Sequence, residues 1–585
     1  MTAPNRNTLW GRAIAEELVG AGIEAVCIAP GSRSTPLTVA FADHDRLRVY
    51  SHLDERSAAY FALGRAKTTG TPTPLVCTSG TAAANFHPAV IEANQARVPM
   101  VLLTADRPPE LHDSGANQTI DQEQLYGDAV RWYRTLPEPE PRARKLRSLR
   151  TTVVRAVATS MGTPPGPVHL NVPFRKPLEP TEVPGDVPET FDTEHPIAAN
   201  GRPNGTVDYA TGQVTPSAST IEPVCKALRQ ADRGLIVLGP ANNPTPSRDA
   251  LADLADATGF PILADPLSGG RFGEHVTGRV VCGGYDAYLD AAITAEWPEP
   301  DVVLRFGASP TSKQLRQYLE RATPRQFMID PAGEWREATF SATDVIVGEP
   351  TVVATRIAER CDRMPTDWAD RFTAIEERYW EAIDELTEAP FEGQILRRVV
   401  TQAPDPSTLF VSNSMPVRDL DRFGQPQSTM LDVYGNRGAS GIDGITSTAL
   451  GVGSTQPDTE PLILVTGDLA YYHDMNGLLA IGRCDVDATI VEINNDGGGI
   501  FHLLPIEEFD PPFTEQFKTP HGLDFEATGD LYDVEFERVE PTSFASAYAR
   551  SLERAGTQVI EVLTDAQASH RVRERLQQRL RDQLG

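Results

Sequence analysis

Trp10, Ile14 and Leu18 recur four residues apart in 7–20, which puts them on one face of a helix. The apolar residues that follow obey another rule. Residues 25–29 form an unbroken apolar run that stops at Pro30-Gly31, 74–77 runs into Thr78-Ser-Gly80, and 98–105 stops at Asp106-Arg-Pro-Pro109. Short continuous apolar runs bounded by turn residues are strands buried on both faces, and their alternation with helical periodicity predicts a covered parallel sheet. The alternation returns at 234–239, 301–305 and 326–330, and again at 408–412, 461–465 and 488–493. The expected fold class is therefore α/β, with three doubly wound parallel-sheet domains at 1–180, 220–365 and 366–585. The Pro-rich, loosely patterned stretch after Pro177 makes 181–219 a linker. A charged helical stretch, 367–388, leads into the last domain, and the Arg/Gln-rich tail 566–585 reads as a helix with a solvated face. Residues 75–80 and 464–468 are both strand-to-glycine turns feeding a helix, which fits either a duplicated domain or the ordinary strand–helix turn.

Composition narrows the function. The 585 residues carry 81 acidic and 53 basic side chains, a formal charge of −28. Duplex nucleic-acid binding and attachment to an acidic membrane surface both need positive fields, so neither is expected. Only six of the basic residues are lysine (67, 145, 176, 226, 313 and 518). An acidic excess with lysine nearly absent points to a salt-rich cytosol, where screening over a few ångströms makes the self-repulsion tolerable, with a merely acidic protein from a high-GC genome as the alternative. No uncharged apolar run is long enough to span a bilayer. Arg6, Arg12, Glu16 and Glu17 interrupt the first twenty residues, which read as an amphipathic helix rather than a secretory leader. A cytoplasmic location is expected. The six cysteines lie at least 50 residues apart, so neither a zinc site nor a disulfide framework is indicated.

The most informative segment is Thr466-Gly-Asp-Leu-Ala470, followed 27 residues after Asp468 by Asn495 in Ile493-Asn-Asn-Asp-Gly-Gly-Gly-Ile500. One strand ends in Asp468, a helix crosses over, and the next strand ends in Asn495. Both side chains then emerge at the carboxyl ends of neighbouring parallel strands, where open α/β sheets bind ligands. A carboxylate, an amide oxygen and a backbone carbonyl from the glycine turn are hard ligands suited to Mg²⁺, and Gly497–Gly499 lets the backbone approach a diphosphate. No P-loop sequence is present.

This spacing resembles the diphosphate motif of thiamine diphosphate (ThDP) enzymes, which carry a pyrimidine-binding domain, a middle domain and a diphosphate-binding domain. The resemblance implies that Asp468, Asn495 and the Gly497 carbonyl hold Mg²⁺ or Mn²⁺. It also implies an early glutamate that hydrogen-bonds the cofactor's aminopyrimidine and drives the tautomer that activates C2; the candidate is Glu55 in Ser51-His-Leu-Asp-Glu-Arg-Ser-Ala-Ala59. By itself Glu55 reads first as a carboxylate favoured by a helix N-terminus, and the companion diphosphate motif reverses that preference. Further motifs narrow the match: Gly31-Ser-Arg-Ser-Thr-Pro-Leu37, Cys77-Thr-Ser-Gly-Thr81, Thr104-Ala-Asp-Arg-Pro-Pro109, Gly115-Ala-Asn-Gln118, Ser412-Asn-Ser-Met-Pro-Val-Arg418 and Asn436-Arg-Gly-Ala-Ser-Gly-Ile-Asp-Gly444. From about residue 7 to 510 the chain is similar to the 2-succinyl-5-enolpyruvyl-6-hydroxy-3-cyclohexene-1-carboxylate synthases of menaquinone biosynthesis. Members decarboxylate 2-oxoglutarate on ThDP and add the succinyl carbanion equivalent to isochorismate in a 1,4-addition, at a site between subunits. A homodimer or tetramer is thereby implied.

Carried over by motif, Glu55, Arg33, Arg418 and Arg437 are the catalytic candidates. Gly80, Gln118, Ile442 and Ile500 join Glu55, Asp468, Asn495 and Gly497 as cofactor contacts. Ser32, Arg33, Arg107, Asn117, Gln118, Lys313, Ser414, Arg418 and Arg437 become substrate contacts, and Phe501 and Leu504 form an apolar wall with Ile500, with plain core packing as the lesser alternative. Gln314 stands where the family often has arginine after the lysine. Independently of the resemblance, a chain at −28 repels dicarboxylates, so it needs locally concentrated cations. Arg33, Arg107, Arg418 and Arg437 all lie in turns that follow strands, and arginine's planar fork suits carboxylates. The rival readings are another ThDP 2-oxoacid carboligase or decarboxylase of the acetolactate synthase kind, and a non-catalytic ThDP-binding relative. The acidic stretch 510–541 has no function in this reading.

Overall fold

The structure is a computed structural model that describes residues 3–242, 245–362, 366–386, 391–457 and 459–584. Among the described residues three six-stranded sheets form, and every strand pairing is parallel. The first holds β1 (Ala25–Ile28), β2 (Arg48–Ser51), β3 (Leu75–Cys77), β4 (Met100–Asp106), β5 (Trp132–Thr135) and β6 (Pro167–Pro173), in the order β2-β1-β3-β4-β6-β5. The second holds β7 (Gly234–Leu238), β8 (Ile262–Ala264), β9 (Val281–Cys282), β10 (Val302–Phe306), β11 (Arg325–Asp330) and β12 (Asp344–Val347), in the order β12-β11-β10-β7-β8-β9. The third holds β13 (Ser407–Val411), β14 (Leu431–Tyr434), β15 (Leu462–Gly467), β16 (Thr489–Asn494), β17 (Glu535–Val539) and β18 (Gln558–Leu563), in the order β14-β13-β15-β16-β18-β17. The first and third sheets share one strand order and the second has another. The echo between 75–80 and 464–468 is therefore an echo of whole topology, with β3 and β15 in equivalent places.

Contacts divide the chain into two compact units. One comprises residues up to 211 together with 436–455 and 474–486. Its core is built from the inner faces of β1, β3, β4 and β6 and the helix Arg6–Gly20, whose Trp10, Ile14 and Leu18 are all fully buried as their spacing demands. Within this unit the helices Glu55–Thr69 and Ile445–Gly453 pack backbone to backbone. A Cβ on Gly64 would lie 2.0 Å from the Thr448 carbonyl oxygen, and one on Gly451 would lie 2.1 Å from that of Phe61. Val187, Phe191, Ala198 and Ala199, from the stretch expected to link domains, are buried in the same core, and two short helices form there, Phe191–Glu194 and Pro196–Asn200.

The other unit carries the second and third sheets. The helix Asp367–Asp384 buries Trp368, Phe372, Ile375, Tyr379 and Trp380 in the core beside Leu235 and Tyr288; residues 387–388 of the stretch expected as helical lie outside the described residues. The tail corrects one expectation. The helix Ala566–Leu584 is not simply solvated: Val572, Leu576 and Leu580 are buried in that same core, at about 1.5–3 kcal/mol for each large side chain. Its arginines made the stretch read as polar, but they lie beside a buried stripe four residues apart. Among the described residues no helix is long and apolar enough to cross a membrane.

Candidate cofactor and substrate site

In the unit that holds the third sheet, β13, β15 and β16 are neighbours, and their carboxyl ends deliver Ser414 with Arg418, Asp468, and Asn495. Asp468 opens the helix Asp468–Asp474 and is buried. Its Oδ2 accepts from the Gly497 N–H at 2.8 Å and the Asn495 N–H at 3.2 Å, and its Oδ1 accepts from the Leu469 N–H at 2.6 Å. Burial pushes its pKa up, and these hydrogen bonds pull the other way. The paired motif is thus already one object: the carboxylate of the first strand holds the backbone of the second strand's turn.

The Asn495 side chain gives a direct test of fit to a cation. Its Nδ2 donates to Glu392 Oε1 at 2.8 Å, and its Oδ1 is buried with no hydrogen-bond partner. The Asn495 amide oxygen is thus a buried acceptor left uncompensated, which an oxygen-preferring dication satisfies, whereas the Asp468 carboxylate already accepts from three backbone N–H groups. Gly497 has φ +135°, and a Cβ there would sit 2.0 Å from the Lys518 carbonyl oxygen. Only glycine fits, and the loop stays open for close approach of a diphosphate.

Residues 513–525 lie over this loop. The Gly498 N–H donates to the Lys518 carbonyl at 2.7 Å, Phe517 meets Phe501 edge to face at 5.5 Å, and His521 Nε2 lies 3.2 Å from Asp468 Oδ2. The Leu523 N–H donates to His521 Nδ1 at 3.0 Å, so Nε2 is the protonated nitrogen that faces the carboxylate. Part of the acidic stretch that the sequence left without a role therefore packs on Asp468 and the glycine loop. Ile500 and Phe501 are half-buried, whereas Leu504 is 47% exposed. Arg418 donates to the Ser414 carbonyl at 2.6 Å, and Ser414 has φ +68°, a strained value for a residue with a side chain. Lys313 starts the helix Lys313–Ala322 after β10 of the second sheet and is exposed.

The other unit presents its own cluster along the carboxyl edge of the first sheet. Ser32 and Arg33 follow β1, Glu55 follows β2, Gly80 follows β3, and Arg107, Asn117 and Gln118 follow β4. Glu55 is half-buried at the first turn of its helix, capped by Asp54, whose carboxylate accepts from the Arg56 and Ser57 N–H groups. Burial, and then the charge of Glu55, push the Cys77 thiol up, which places the carboxylate beside β3. Arg33 is buried. Its Nη1 donates to the Phe174 carbonyl at 2.6 Å, its Nε has no partner, and burial followed by the charge of Arg107 lowers its pKa. Arg107 donates to the Asn117 carbonyl at 2.8 Å, and its Nε is likewise buried and unpartnered. Each of these neighbouring guanidiniums keeps an unused Nε donor, while the Asp106 carboxylate offsets part of the positive charge at Arg33. Ser32 and Asn117 are exposed, and Gln118 Nε2 donates to the Ser79 carbonyl at 3.1 Å beside Gly80. In the same unit Glu92 accepts from the Gly438, Ala439 and Ser440 N–H groups at 2.6–3.3 Å, which fixes the loop that carries Arg437 and Ile442.

Three stretches match family descriptions. Residues 10–125 match the N-terminal TPP binding domain of thiamine pyrophosphate enzymes, 205–411 the middle domain, and 416–562 the C-terminal TPP binding domain. The chain is 61% identical over 594 residues to the 2-succinyl-5-enolpyruvyl-6-hydroxy-3-cyclohexene-1-carboxylate synthase of Natronomonas pharaonis, covering 100% of both chains. It is 61% identical to that of Halobacterium salinarum (99% of both) and 47% identical to that of Roseiflexus castenholzii (96% and 97%). The chain belongs to this synthase family.

Several side chains that position the synthase motifs carry no motif of their own: Glu392 behind Asn495, Glu92 behind Arg437, and Asn171 with Gln122 behind Gly80. Gln122 Oε1 accepts from the Gly80 N–H at 2.9 Å, and its Nε2 donates to Asn171 Oδ1 at 2.9 Å. Each is joined to its motif across 42 to 348 residues of chain, so no local signal marks it.

Proposed function

We propose that this chain decarboxylates 2-oxoglutarate and adds the remaining succinyl unit to isochorismate, giving 2-succinyl-5-enolpyruvyl-6-hydroxy-3-cyclohexene-1-carboxylate and CO2 for menaquinone biosynthesis. The observation that carries the reading is that the Asp468 carboxylate holds the backbone of the Asn495–Gly497 turn while the Asn495 amide oxygen is buried without a hydrogen-bond partner. ThDP, when bound, supplies the electron sink on which a 2-oxoacid loses CO2. The rest falls to the chain. Asp468, Asn495 Oδ1 and the Gly497 carbonyl would hold Mg²⁺ or Mn²⁺, with 366–585 as the diphosphate-binding domain and 1–180 as the pyrimidine-binding one. The Glu55 carboxyl would hold a proton against the aminopyrimidine ring. Arg33 and Arg107, whose unused donors face no protein acceptor, would grip substrate carboxylates, as would Arg418 and Arg437. Gly80, Gln118 and Ile442 would support the cofactor, and Ile500 and Phe501 would exclude water from it.

A homodimer or tetramer working in a salt-rich cytoplasm goes with this reading. It is tested by a coupled assay in high KCl with ThDP, Mg²⁺, 2-oxoglutarate and isochorismate, following isochorismate loss and product mass. Loss that requires every component supports the proposal. Turnover of pyruvate with no use of isochorismate would replace it with an acetolactate synthase-like activity.

A further inference from the structure

Glu392 opens the helix Glu392–Thr401 and is 2% exposed. One of its oxygens, Oε1, accepts from Asn495 Nδ2 at 2.8 Å and from Thr564 Oγ1 at 3.3 Å. The other, Oε2, accepts from Arg573 Nη2 at 2.8 Å. Arg573 comes from the C-terminal helix, is also buried, and is clamped by Asp419 through Nε at 2.9 Å and Nη2 at 2.5 Å. The chain of contacts thus runs Asp419–Arg573–Glu392–Asn495 and ends at the orphaned Oδ1.

An asparagine amide can face either way, and only one way presents oxygen to a cation. An ionised carboxylate accepts and never donates, so it can face only the NH2 end of that amide. We infer that Glu392, held by Arg573 and Asp419, is a positioning residue that fixes the Asn495 amide with its oxygen toward the metal. This rests on the reading of Asn495 as a metal ligand. It also gives the buried face of the C-terminal helix a task beyond packing, because Arg573 fixes which carboxylate oxygen is left for Asn495.

The consequence for Glu392→Gln is specific. Arg573 demands an acceptor, so the glutamine turns its oxygen to Arg573 and its NH2 toward Asn495 and Thr564. Asn495 then answers with Oδ1, and its NH2 end faces the cation. Loss of an outer-shell partner of a metal ligand costs about 10–100-fold in metal affinity, and this range is expected here. The background Asn495→Asp reverses the sign. Two carboxylates then face each other across the former hydrogen bond, and Glu392→Gln relieves the repulsion while orientation no longer matters.

The experiment measures Mn²⁺ binding to the full-length protein with saturating ThDP, from the EPR signal of free Mn²⁺, in wild type, Asn495→Ala, Glu392→Gln, Asn495→Asp and the double variant. Thermal melts check that each variant is folded. Weaker binding in Glu392→Gln, together with at least tenfold tighter binding in the double variant than in Asn495→Asp alone, supports the inference. Weak binding in Asn495→Ala with normal binding in Glu392→Gln overturns it and leaves the ligand reading standing. Wild-type binding in Asn495→Ala overturns both. An equal loss on adding Glu392→Gln to either background reduces Glu392 to a packing role and also overturns the inference.

Discussion

The Gly497 N–H donates to Asp468 Oδ2 at 2.8 Å, across 29 residues of chain. The bond ties the turn after β16 to the end of β15 through a carboxylate. Gly497 also has φ +135° and no room for a Cβ beside Lys518. Gly497→Ala therefore strains the backbone by about 1–3 kcal/mol and displaces either the loop or residues 517–519. The expected result is a ThDP dissociation constant raised roughly tenfold or more, read by titration of the apoprotein in Mg²⁺. An alanine variant that binds ThDP normally would contradict this account of the loop.

Glu55 combines a half-buried place at a helix start with a position at the carboxyl end of β2. Glu55→Gln keeps the size and the helix but removes the exchangeable proton of a carboxyl. Turnover should fall at least ~10²-fold, the low end of general acid–base effects, with an unchanged circular dichroism spectrum. Near-normal turnover at saturating substrate would exclude Glu55 from proton transfer.

What was legible in the sequence follows a physical division. Apolar runs such as 25–29 and 461–465 declare buried strands because both faces of a covered parallel sheet are apolar, so three α/β sheets could be read in advance. Asp468 and Asn495 were legible because a strand, a crossover helix and a strand fix their separation. Glu392 was not, because its meaning arises from a partner 103 residues away. Arg573 was hidden more thoroughly: in a helix rich in arginine, nothing local distinguishes the buried one from those in solvent. The packing of 513–525 on the glycine loop escaped for the same reason, since Lys518 contributes a carbonyl oxygen, which every residue possesses.

Arg107 offers a test in which activity and stability move in opposite directions. Arg107 lies near the buried Arg33, and its charge adds to the burial that lowers the Arg33 pKa. Removing it relieves that repulsion in the free protein and deletes a donor from the site. Arg107→Ala should weaken use of an anionic substrate by about 1.5–3 kcal/mol, the scale of hydrogen bonds to charged groups, while the melting temperature holds or rises. Steady-state kinetics for each substrate and a thermal melt decide it. Unchanged KM and kcat for both substrates would remove Arg107 from the site.

Asp474 gives a prediction in pH. It lies in the same unit as Glu55, fully buried, accepts from the Ser447 N–H at 2.7 Å, and faces Arg56 at 3.7 Å. Burial pushes its pKa up from 3.8 to about 7, against the pull of the Ser447 hydrogen bonds and Arg56. Between those values the folded chain keeps a proton that the unfolded chain has released. The stabilising contribution of the protonated form is therefore complete below pH 3.8 and is lost as pH rises toward 7, at about 1.4 kcal/mol per pH unit at most. Asp474→Asn keeps an acceptor for Ser447 and cannot titrate, so its stability relative to wild type should climb from pH 4 to pH 7 and then level off. Thermal melts at constant KCl across that range read the difference directly. Parallel curves for the two proteins would mean that Asp474 is ionised throughout, with its charge fully compensated by Arg56.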